Sequence, residues 1–333
     1  MYVFLKFSIQ LYSMPHIDPH VHCRDWKLAY KGATIKSVKQ LAESQYVDVI
    51  FDMPNTNPTM NSLRLVEERL RLAKSEGCSD GYYVYIGATK NENQLREAAH
   101  VATTHPKVVG IKFFTTGKPE DVLAITDEKD QKKVYETLTE CDYTGVIGVH
   151  CEKESLFRMN RWKPEKPWTW NLARPKEAEV EAVKDQIRFV KKTGFDGTLY
   201  IPHVSAVETV NVIDNARSSI SIVCGVTPHH LTKSTLDMRE AYGIFYKCNP
   251  PIRDMEKDGL KDCLIEGKID WFETDHAPHS FREKTELPFM SGFPSLEYYH
   301  QTIELFRRWG LSKERIEDLT YNNIKRTFKK VIG

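Results

Sequence analysis

The stretch HIDPHVH, residues 16–22, predicts a β-strand that ends in two histidines, His20 and His22. Alternate residues of a strand point to the same side, so both imidazole rings can reach one cation at the end of this strand. A His-x-His pair alone is a weak signal, because many such pairs are structural or exposed. The meaning of the pair therefore depends on how the rest of the chain folds around this first strand.

Seven further apolar runs of strand length follow, and helical patterns lie between them. The runs cover residues 47–55, 82–89, 108–114, 144–150, 197–203, 219–230 and 269–279. Apolar residues at three- and four-residue spacing predict helices over residues 34–45, 61–76, 91–104, 128–141, 176–193, 206–216, 254–267 and 295–309. Parallel strands need a crossover connection, which is usually a helix. We therefore predict an α/β fold, the (β/α)8 barrel known as the TIM barrel.

The length of the chain fits one such barrel as a single domain over residues 1–333. Residues 1–15 would form an N-terminal extension and residues 313–333 a C-terminal helix. Segment 161–170, RWKPEKPWTW, follows the fifth predicted strand and holds three tryptophans and two prolines. It forms either a lid over the site or a loop that its aromatic side chains pin in place.

Residues that can bind metal or carry a proton recur at the predicted strand ends. The fourth strand carries Lys112, the fifth ends at His150, the sixth ends at His203, and the eighth contains Asp275. Active sites of TIM barrels lie where the strands end, at the C-terminal face of the barrel. Together with the first histidine pair, these side chains predict a site for two metal ions. Imidazole and carboxylate ligands suit Zn²⁺, and also Mn²⁺ or Co²⁺.

Lys112 has two interpretations. A charged lysine inside the apolar run GIKFF costs free energy, so its ammonium group could extend to the barrel rim. Alternatively, CO₂ carboxylates the amine, and the two carbamate oxygens bridge two cations about 3.5–4 Å apart, as in two-metal hydrolases.

Arg24 follows the histidine pair on the same face of the first strand. Its planar guanidinium can bind a carboxylate through two parallel hydrogen bonds. The ligand would then carry a carboxylate. The alternative is a salt bridge to Asp25 or to a carboxylate on a helix.

Composition excludes several classes of partner. The chain has 47 basic and 46 acidic residues and a net charge of +1, without a block of like charge, so neither nucleic acid nor an anionic membrane is implied. No apolar run reaches the roughly 18–20 residues of a membrane span. The N-terminal run contains Lys6 and lacks a clear cleavage site, which argues against a signal peptide. Seven cysteines, an odd number, indicate a reducing compartment, and we expect a cytoplasmic protein.

The motifs of the chain resemble those of the cyclic amidohydrolases, and within them those of the dihydroorotases. The resemblance runs from residue 18 to about residue 300 and keeps the order of the family's motifs. These motifs are DPHVHCRD (18–25), MPNT (53–56), GIKFF (110–114), VHCE (149–152), PHVS (202–205), VTPHHL (226–231), KCNPPIR (247–253) and ETDHAPHSFREK (273–284).

The resemblance implies two divalent metal ions, most simply Zn²⁺, and a CO₂-derived carboxylation of Lys112. The implied metal ligands are His20, His22, Lys112, His150, His203 and Asp275. The implied substrate-binding residues are Arg24, Asn55 and His279, with Asn249, Ser291 and Gly292 as further candidates from one branch of the family. The implied reaction is the reversible cyclisation of N-carbamoyl-L-aspartate to L-dihydroorotate in pyrimidine biosynthesis, with hydroxide between the metals as nucleophile and Asp275 as general base and acid. No metal role transfers to His229 or His230, for which we expect a hydrogen-bonded turn.

The chain departs from the family pattern at several places. Trp26 stands where a small residue or proline is common, and Ser291 stands where phenylalanine is usual. One large branch of the family has aspartate in place of Lys112. Many relatives also build a small β-sandwich from both termini, and the short flanks here predict a reduced or absent sandwich.

Two other functions remain open. A hydantoinase, dihydropyrimidinase or allantoinase would share the metal ligands, but an uncharged substrate would leave Arg24 unpaired. A catalytically silent homologue could instead serve as a scaffold for a carbamoyltransferase, although such proteins typically lose metal ligands. The expected partner is a small-molecule substrate, with a homodimer or an aspartate carbamoyltransferase complex as further possibilities.

Overall fold

The computed structural model describes residues 14–118 and 120–330, and within them eight parallel strands form one sheet in chain order. The strands are β1 (Ile17–Val21), β2 (Val49–Asp52), β3 (Tyr82–Gly87), β4 (Val108–Phe114), β5 (Val146–His150), β6 (Thr198–Ile201), β7 (Ile222–Val226) and β8 (Trp271–Phe272). Each predicted run contains one of these strands. The α/β barrel is confirmed, and among the described residues no flanking β-sandwich is present.

Helices connect the strands, as parallel pairing requires. They are α1 (Ile35–Ser44), α2 (Leu63–Ser75), α3 (Glu92–Thr104), α4 (Glu128–Glu140), α5 (Trp170–Ala173), α6 (Lys176–Thr193), α7 (Val207–Ala216), α8 (Pro228–Thr232), α9 (Glu256–Ile265), α10 (Phe281–Thr285), α11 (Tyr299–Arg308), α12 (Lys313–Glu317) and α13 (Asn323–Thr327). Helix α6 begins after Pro175 and ends at Gly194, whose φ of 70° terminates it in the left-handed conformation. Within the described residues, no helix combines the length and apolar character needed to cross a bilayer.

The barrel closes where β8 meets β1. β8 is only two residues long, and its contact with β1 lies beyond its end, at a parallel bridge between Val21 and His276. The backbone N–H of His22 donates to the carbonyl of His276 at 2.9 Å. Inside this seam, the carboxylate of Asp18 accepts hydrogen bonds from the backbone N–H of Thr274 at 3.0 Å and from its hydroxyl at 2.5 Å. Side chains therefore hold together a seam that has little strand pairing.

The C-terminal segment departs from its prediction. Instead of one helix over residues 313–333, the structure has α12, a π-helical turn over Asp318–Asn322, and α13. After this break, Phe328 packs among buried aromatic rings of the barrel. Its ring lies edge-on to those of Phe51 and Tyr85, with centroids 5.1 Å and 6.1 Å away. Residues 1–13 and 331–333 lie outside the described residues, and the single-domain boundary over 1–333 stays a prediction.

We expect Phe328→Ala to lower the free energy of unfolding by about 3–5 kcal/mol, because a buried aromatic ring is replaced by a cavity. Phe328 is 1% exposed and is surrounded by aromatic rings. Urea denaturation followed by circular dichroism measures the change. Phe281→Ala is the matched control, since that ring is 68% exposed. A loss of less than 1 kcal/mol for Phe328→Ala would show that this ring does not contribute to the core as described.

Candidate active site

The first and last strands bring together His20, His22 and Asp275. Their ligand atoms lie within 4.8 Å of one another, and all three side chains are buried. One carboxylate oxygen of Asp275, Oδ1, lies 3.2 Å from Nε2 of His20 and 2.9 Å from Nε2 of His22. Because Nε2 of both histidines faces the same oxygen, the three groups form a compact site for a cation.

A second pair of histidines stands at the ends of β5 and β6. Nδ1 of His150 lies 3.1 Å from Nε2 of His203, and both rings are buried. The ring of His203 also lies 5.3 Å from the ring of His20, measured between centroids. The four predicted histidines therefore converge at the C-terminal face of the barrel.

Lys112 points into the barrel and is fully buried. Its backbone pairs with that of Gly148 on β5. If Gly148 were replaced by a residue with a Cβ, that atom would lie 3.4 Å from Cδ of Lys112. Among the described residues, Nζ has no hydrogen-bond partner. Burial lowers the pKa of Lys112 to about 8, so part of the amine is neutral near pH 7 and can react with CO₂. The side chain does not reach the barrel rim, which disfavours the first of its two interpretations.

Two of these residues have strained backbones. The φ angles of His203 and Asp275 are 43° and 51°, in the left-handed region that side chains with a Cβ rarely adopt. Such conformations persist where the surrounding structure imposes them, and they are frequent at functional sites. The strain supports the choice of these two residues as members of the site.

Two buried glutamates that the sequence analysis left unassigned support the histidines. Oε2 of Glu152 accepts from Nε2 of His150 at 3.0 Å, and Arg174 pairs with the same carboxylate. Burial alone would raise the pKa of Glu152, but Arg174 and His150 hold it at about 2. A carboxylate only accepts hydrogen bonds. The proton of His150 is therefore fixed on Nε2, and the lone pair of Nδ1 faces His203.

Glu273 is the second of these glutamates and lies beside His203 and His20. It accepts the backbone N–H of His203 at 2.6 Å and the indole N–H of Trp271 at 2.8 Å. Its Oε1 lies 3.8 Å from Nδ1 of His20. Glu152 and Glu273 both belong to quoted motifs, VHCE and ETDH, and lie two residues from a proposed ligand. This spacing could have identified them from the sequence.

We expect Glu152→Gln to weaken zinc binding about 10–100-fold, because carboxylates that orient ligand histidines contribute to affinity by this amount. The substitution also leaves Arg174 without its partner. Competition with a fluorescent zinc chelator measures the affinity. Glu177→Gln, at the exposed start of α6, provides the matched control. Equal zinc affinity in both variants would contradict the supporting role of Glu152.

Arg24 does not form the salt bridge with Asp25 that its position allows. The carboxylate of Asp25 pairs instead with Arg69 at 2.9 Å, and Arg69 also pairs with Asp52 at 2.8 Å. Arg24 is 6% exposed, and its Nη1 donates to the backbone carbonyl of Asn55 at 3.3 Å. Within the described residues, its Nε has no partner. Arg24 is thus a buried cation whose neighbouring acid is already paired with another arginine.

Asn55 and His279 lie on the same side of the site as Arg24. Oδ1 of Asn55 lies 2.7 Å from Nδ1 of His22, so this amide orients a proposed metal ligand. His279 is buried, and Nδ1 of its ring lies 3.0 Å from Nζ of Lys31. The positive charges of Lys31 and Arg24 add to the effect of burial in lowering the pKa of His279 to about 3. His279 is therefore neutral at physiological pH.

Asn249 contacts Trp170 and Ser291 contacts Lys247, and neither is seen to contact a proposed metal ligand. Oδ1 of Asn249 accepts from the indole of Trp170 at 3.0 Å. Oγ of Ser291 accepts from Nζ of Lys247 at 2.7 Å, and that ammonium lies 3.8 Å from the centroid of the Trp170 ring. Trp170 ends segment 161–170, so these contacts hold this end of the segment, and both interpretations of the segment stay predictions.

Gly292, next to Ser291, lies against His279. A Cβ at Gly292 would be 2.6 Å from Cδ2 of His279, and its φ is 154°. Only glycine fits this position. The roles of Asn249, Ser291 and Gly292 toward a substrate stay predictions.

His229, His230 and Cys248 form a separate buried cluster. Nε2 of His230 donates to the carbonyl of Pro250 at 3.1 Å, which leaves Nδ1 to accept from the hydroxyl of Thr227 at 2.8 Å. Both ring nitrogens of His230 are therefore engaged, as expected for a hydrogen-bonded turn, whereas those of His229 have no hydrogen-bond partner among the described residues.

The donor atoms at the barrel mouth fit divalent metal ions. They are imidazole nitrogens and a carboxylate oxygen, the ligands that Zn²⁺ takes in catalytic sites. The buried Nζ of Lys112 has no hydrogen-bond partner among the described residues, and Nδ1 of His150 faces Nε2 of His203 at 3.1 Å. The two facing imidazole nitrogens can share a bound cation, and a carboxylate on Lys112 would supply oxygen ligands.

Solved structures of hydantoinases share this barrel fold. L-hydantoinase (dihydropyrimidinase) from Arthrobacter aurescens superposes with a TM-score of 0.79 at 22% identity, covering 94% of this chain and 70% of that one. D-hydantoinase (dihydropyrimidinase) from Thermus sp. gives a TM-score of 0.74 at 22% identity, with the same coverage. The chain therefore has the barrel fold of these hydantoinases.

Sequence relatives show the family. No protein-family model matches the chain. The dihydroorotase of Aquifex aeolicus is 30% identical over 315 residues, 92% of this chain and 71% of that protein. Those of Aeropyrum pernix and Methanosphaera stadtmanae are 29% and 28% identical over 95% and 84% of this chain, which spans 69% and 62% of their lengths. The chain belongs to the dihydroorotase family.

Proposed function

We propose that the protein catalyses the dihydroorotase reaction, the reversible closure of N-carbamoyl-L-aspartate to L-dihydroorotate and water. The observation that carries this proposal is the buried guanidinium of Arg24 near the metal ligands: among the described residues it forms no salt bridge, and its Nε has no hydrogen-bond partner. Burying a charge is costly unless a counter-charge is supplied. Both compounds have a carboxylate that does not take part in ring closure and can supply it.

The metal ions would be held by the residues that converge at the strand ends. His20, His22 and Asp275 would bind one ion, and His150 and His203 the other. Lys112, as its carbamate, would bridge the two. Zn²⁺ is the ion that this ligand set fits best. When bound, such ions polarise a carbonyl group and lower the pKa of water, which supplies the electrophile and the nucleophile for amide hydrolysis.

Asp275 would move the proton. Burial raises the pKa of Asp275 to about 7, and electrostatic interactions with His150, Lys112 and Arg24 oppose this rise. Oδ1 of Asp275 faces the two histidines, so its other carboxylate oxygen can act as a general base and then as a general acid. In hydrolysis, Asp275 would accept a proton from the attacking water and deliver it to the departing ring nitrogen.

Arg24, Asn55 and His279 would hold the carboxylate of the substrate. The guanidinium of Arg24 would form two parallel hydrogen bonds, the amide of Asn55 a third, and the ring of His279 a fourth. Fixing the carboxylate orients the reacting amide against the metals and Asp275, which lowers the entropic part of the barrier.

The alternatives fit less well. Hydantoin and allantoin lack the ring carboxylate, so they would leave Arg24 buried and unpaired. A silent scaffold would not need the six ligand residues at the barrel mouth or the two glutamates that support them.

The test combines metal analysis with a substrate panel. The protein loaded with zinc and bicarbonate should contain two zinc ions per chain and hydrolyse dihydroorotate faster than hydantoin or allantoin. A preference for hydantoin would contradict the proposed reaction and assign the protein hydantoinase activity instead. Absence of turnover of all three substrates with two zinc ions bound would favour the scaffold.

A further inference from the structure

A lysine that belongs to no predicted site lies directly behind His279. Lys31 ends the 3₁₀-helix Trp26–Lys31, which follows Arg24. Its Nζ lies 3.0 Å from Nδ1 of His279 and 2.7 Å from Oε1 of Glu283. The side chain of Lys31 is 6% exposed and that of His279 is 4% exposed. The contact is therefore shielded from water.

The contact constrains where the proton of the imidazole lies. An ammonium group has three N–H donors and no acceptor. Burial lowers the pKa of Lys31, and the carboxylate of Glu283 at 2.7 Å opposes this and favours the charged form. Nδ1 of His279 must then accept the hydrogen bond, and the single proton of the neutral ring lies on Nε2. Nε2 is consequently the donor that His279 can offer to a ligand.

The competing arrangement is weaker. Nδ1–H could donate to Oε2 of Glu283, but that distance is 3.5 Å. Oε2 already accepts from the backbone N–H of Ser280 at 3.0 Å and from its hydroxyl at 3.1 Å. Oε1 accepts from the hydroxyl of Tyr30 at 3.0 Å as well as from Lys31. Glu283 is thus fully engaged, and Lys31 is the closest partner of Nδ1.

We propose that Lys31 is a positioning residue for substrate binding: it fixes the Nε2–H tautomer of His279, so that this ring donates to the substrate carboxylate beside Arg24. The proposal rests on the proposed function for the identity of the ligand, but the tautomer does not depend on the reaction. The opposite tautomer would present a lone pair to the carboxylate and repel it.

The first test reads the tautomer directly. Imidazole ¹⁵N spectra of the zinc-loaded protein labelled at histidine distinguish protonated from unprotonated ring nitrogens, and His279→Asn identifies the signals of His279. We expect an unprotonated Nδ1 and a protonated Nε2 in the wild type and in Lys31→Arg. In Lys31→Met the proton should redistribute toward Nδ1. A proton on Nδ1 of His279 in the wild type would overturn the proposal.

The second test measures the consequence for binding. Lys31→Met should raise KM for dihydroorotate about tenfold, as expected for one lost hydrogen bond to a charged group, with a smaller change in kcat. Lys31→Arg should recover most of this loss. Turnover of dihydrouracil, the same ring without a carboxylate, should not change. Lys27→Met, at an exposed lysine of the same 3₁₀-helix, is the matched control.

The outcomes separate the two proposals. If the wild type does not act on dihydroorotate, the proposed function fails, and with it the ligand assigned to His279, while the spectra still decide the tautomer. If dihydroorotate is turned over and Lys31→Met leaves its KM unchanged, the role of Lys31 is wrong and the proposed function stands. An equal loss with dihydrouracil would likewise overturn a role specific to the carboxylate.

Discussion

Replacing Asp275 by asparagine is expected to reduce kcat for dihydroorotate by about 10²–10⁴-fold, the contribution typical of a positioned general acid and base. The amide has almost the same size and can still offer an oxygen to a cation, but it cannot accept the proton. Zinc content should therefore change little. Stopped assays of dihydroorotate hydrolysis and of the reverse reaction should show the same loss, because one group serves both directions.

Asp258→Asn is a suitable control, since Asp258 is exposed in the first turn of α9. Elemental analysis of each variant separates a loss of zinc from a loss of proton transfer. If Asp275→Asn retains both its zinc and more than a tenth of the wild-type kcat, another group carries the proton and the proposed role of Asp275 is wrong.

Arg24→Ala should lower kcat/KM for dihydroorotate by about 2–5 kcal/mol, roughly 30-fold to several thousand-fold, because one partner of a buried charge pair is removed. Arg24→Lys keeps the charge but loses the planar fork, so we expect at least a tenfold loss. Neither change should alter zinc content. Steady-state kinetics with dihydroorotate and dihydrouracil measure both effects.

Arg64→Ala, on the exposed face of α2, controls for the loss of a surface arginine. The comparison between substrates is the decisive part of this experiment. A substrate without the carboxylate gains nothing from Arg24, so its kcat/KM should be nearly unaffected. Full activity of Arg24→Ala on dihydroorotate would exclude the assigned carboxylate contact, although the barrel and its metal ligands would be unaffected.

Local patterns predicted the barrel well, because each strand is an apolar run and each long helix has its own periodicity and end signals. β4 spans the predicted residues 108–114, and α6 spans the predicted residues 176–193. The length of the eighth strand was overestimated, because residues 269–279 contain a strand of only two residues. Beyond Phe272, that run supplies Asp275 and the seam rather than continuous strand pairing.

Contacts between residues that are far apart in the chain could not be predicted from the sequence. The residues at strand ends could be selected because parallel strands bring their C-terminal ends to one face. Lys31 and His279 are 248 residues apart in the chain, and nothing in the local pattern of either indicates the contact. The pairing of Asp25 with Arg69 likewise removes an alternative for Arg24 that the sequence had left open.

A metal ion bound at the seam between β1 and β8 would link two distant parts of the chain. His22 and Asp275 are separated by 253 residues, yet their ligand atoms are 2.9 Å apart across the junction with the least strand pairing. A cation bound there would act as a cross-link that closes a very long loop, and such closures stabilise a fold by restricting its open states. Chelation should then accelerate amide hydrogen exchange first in β1 and around residues 271–276, as the barrel opens along one line.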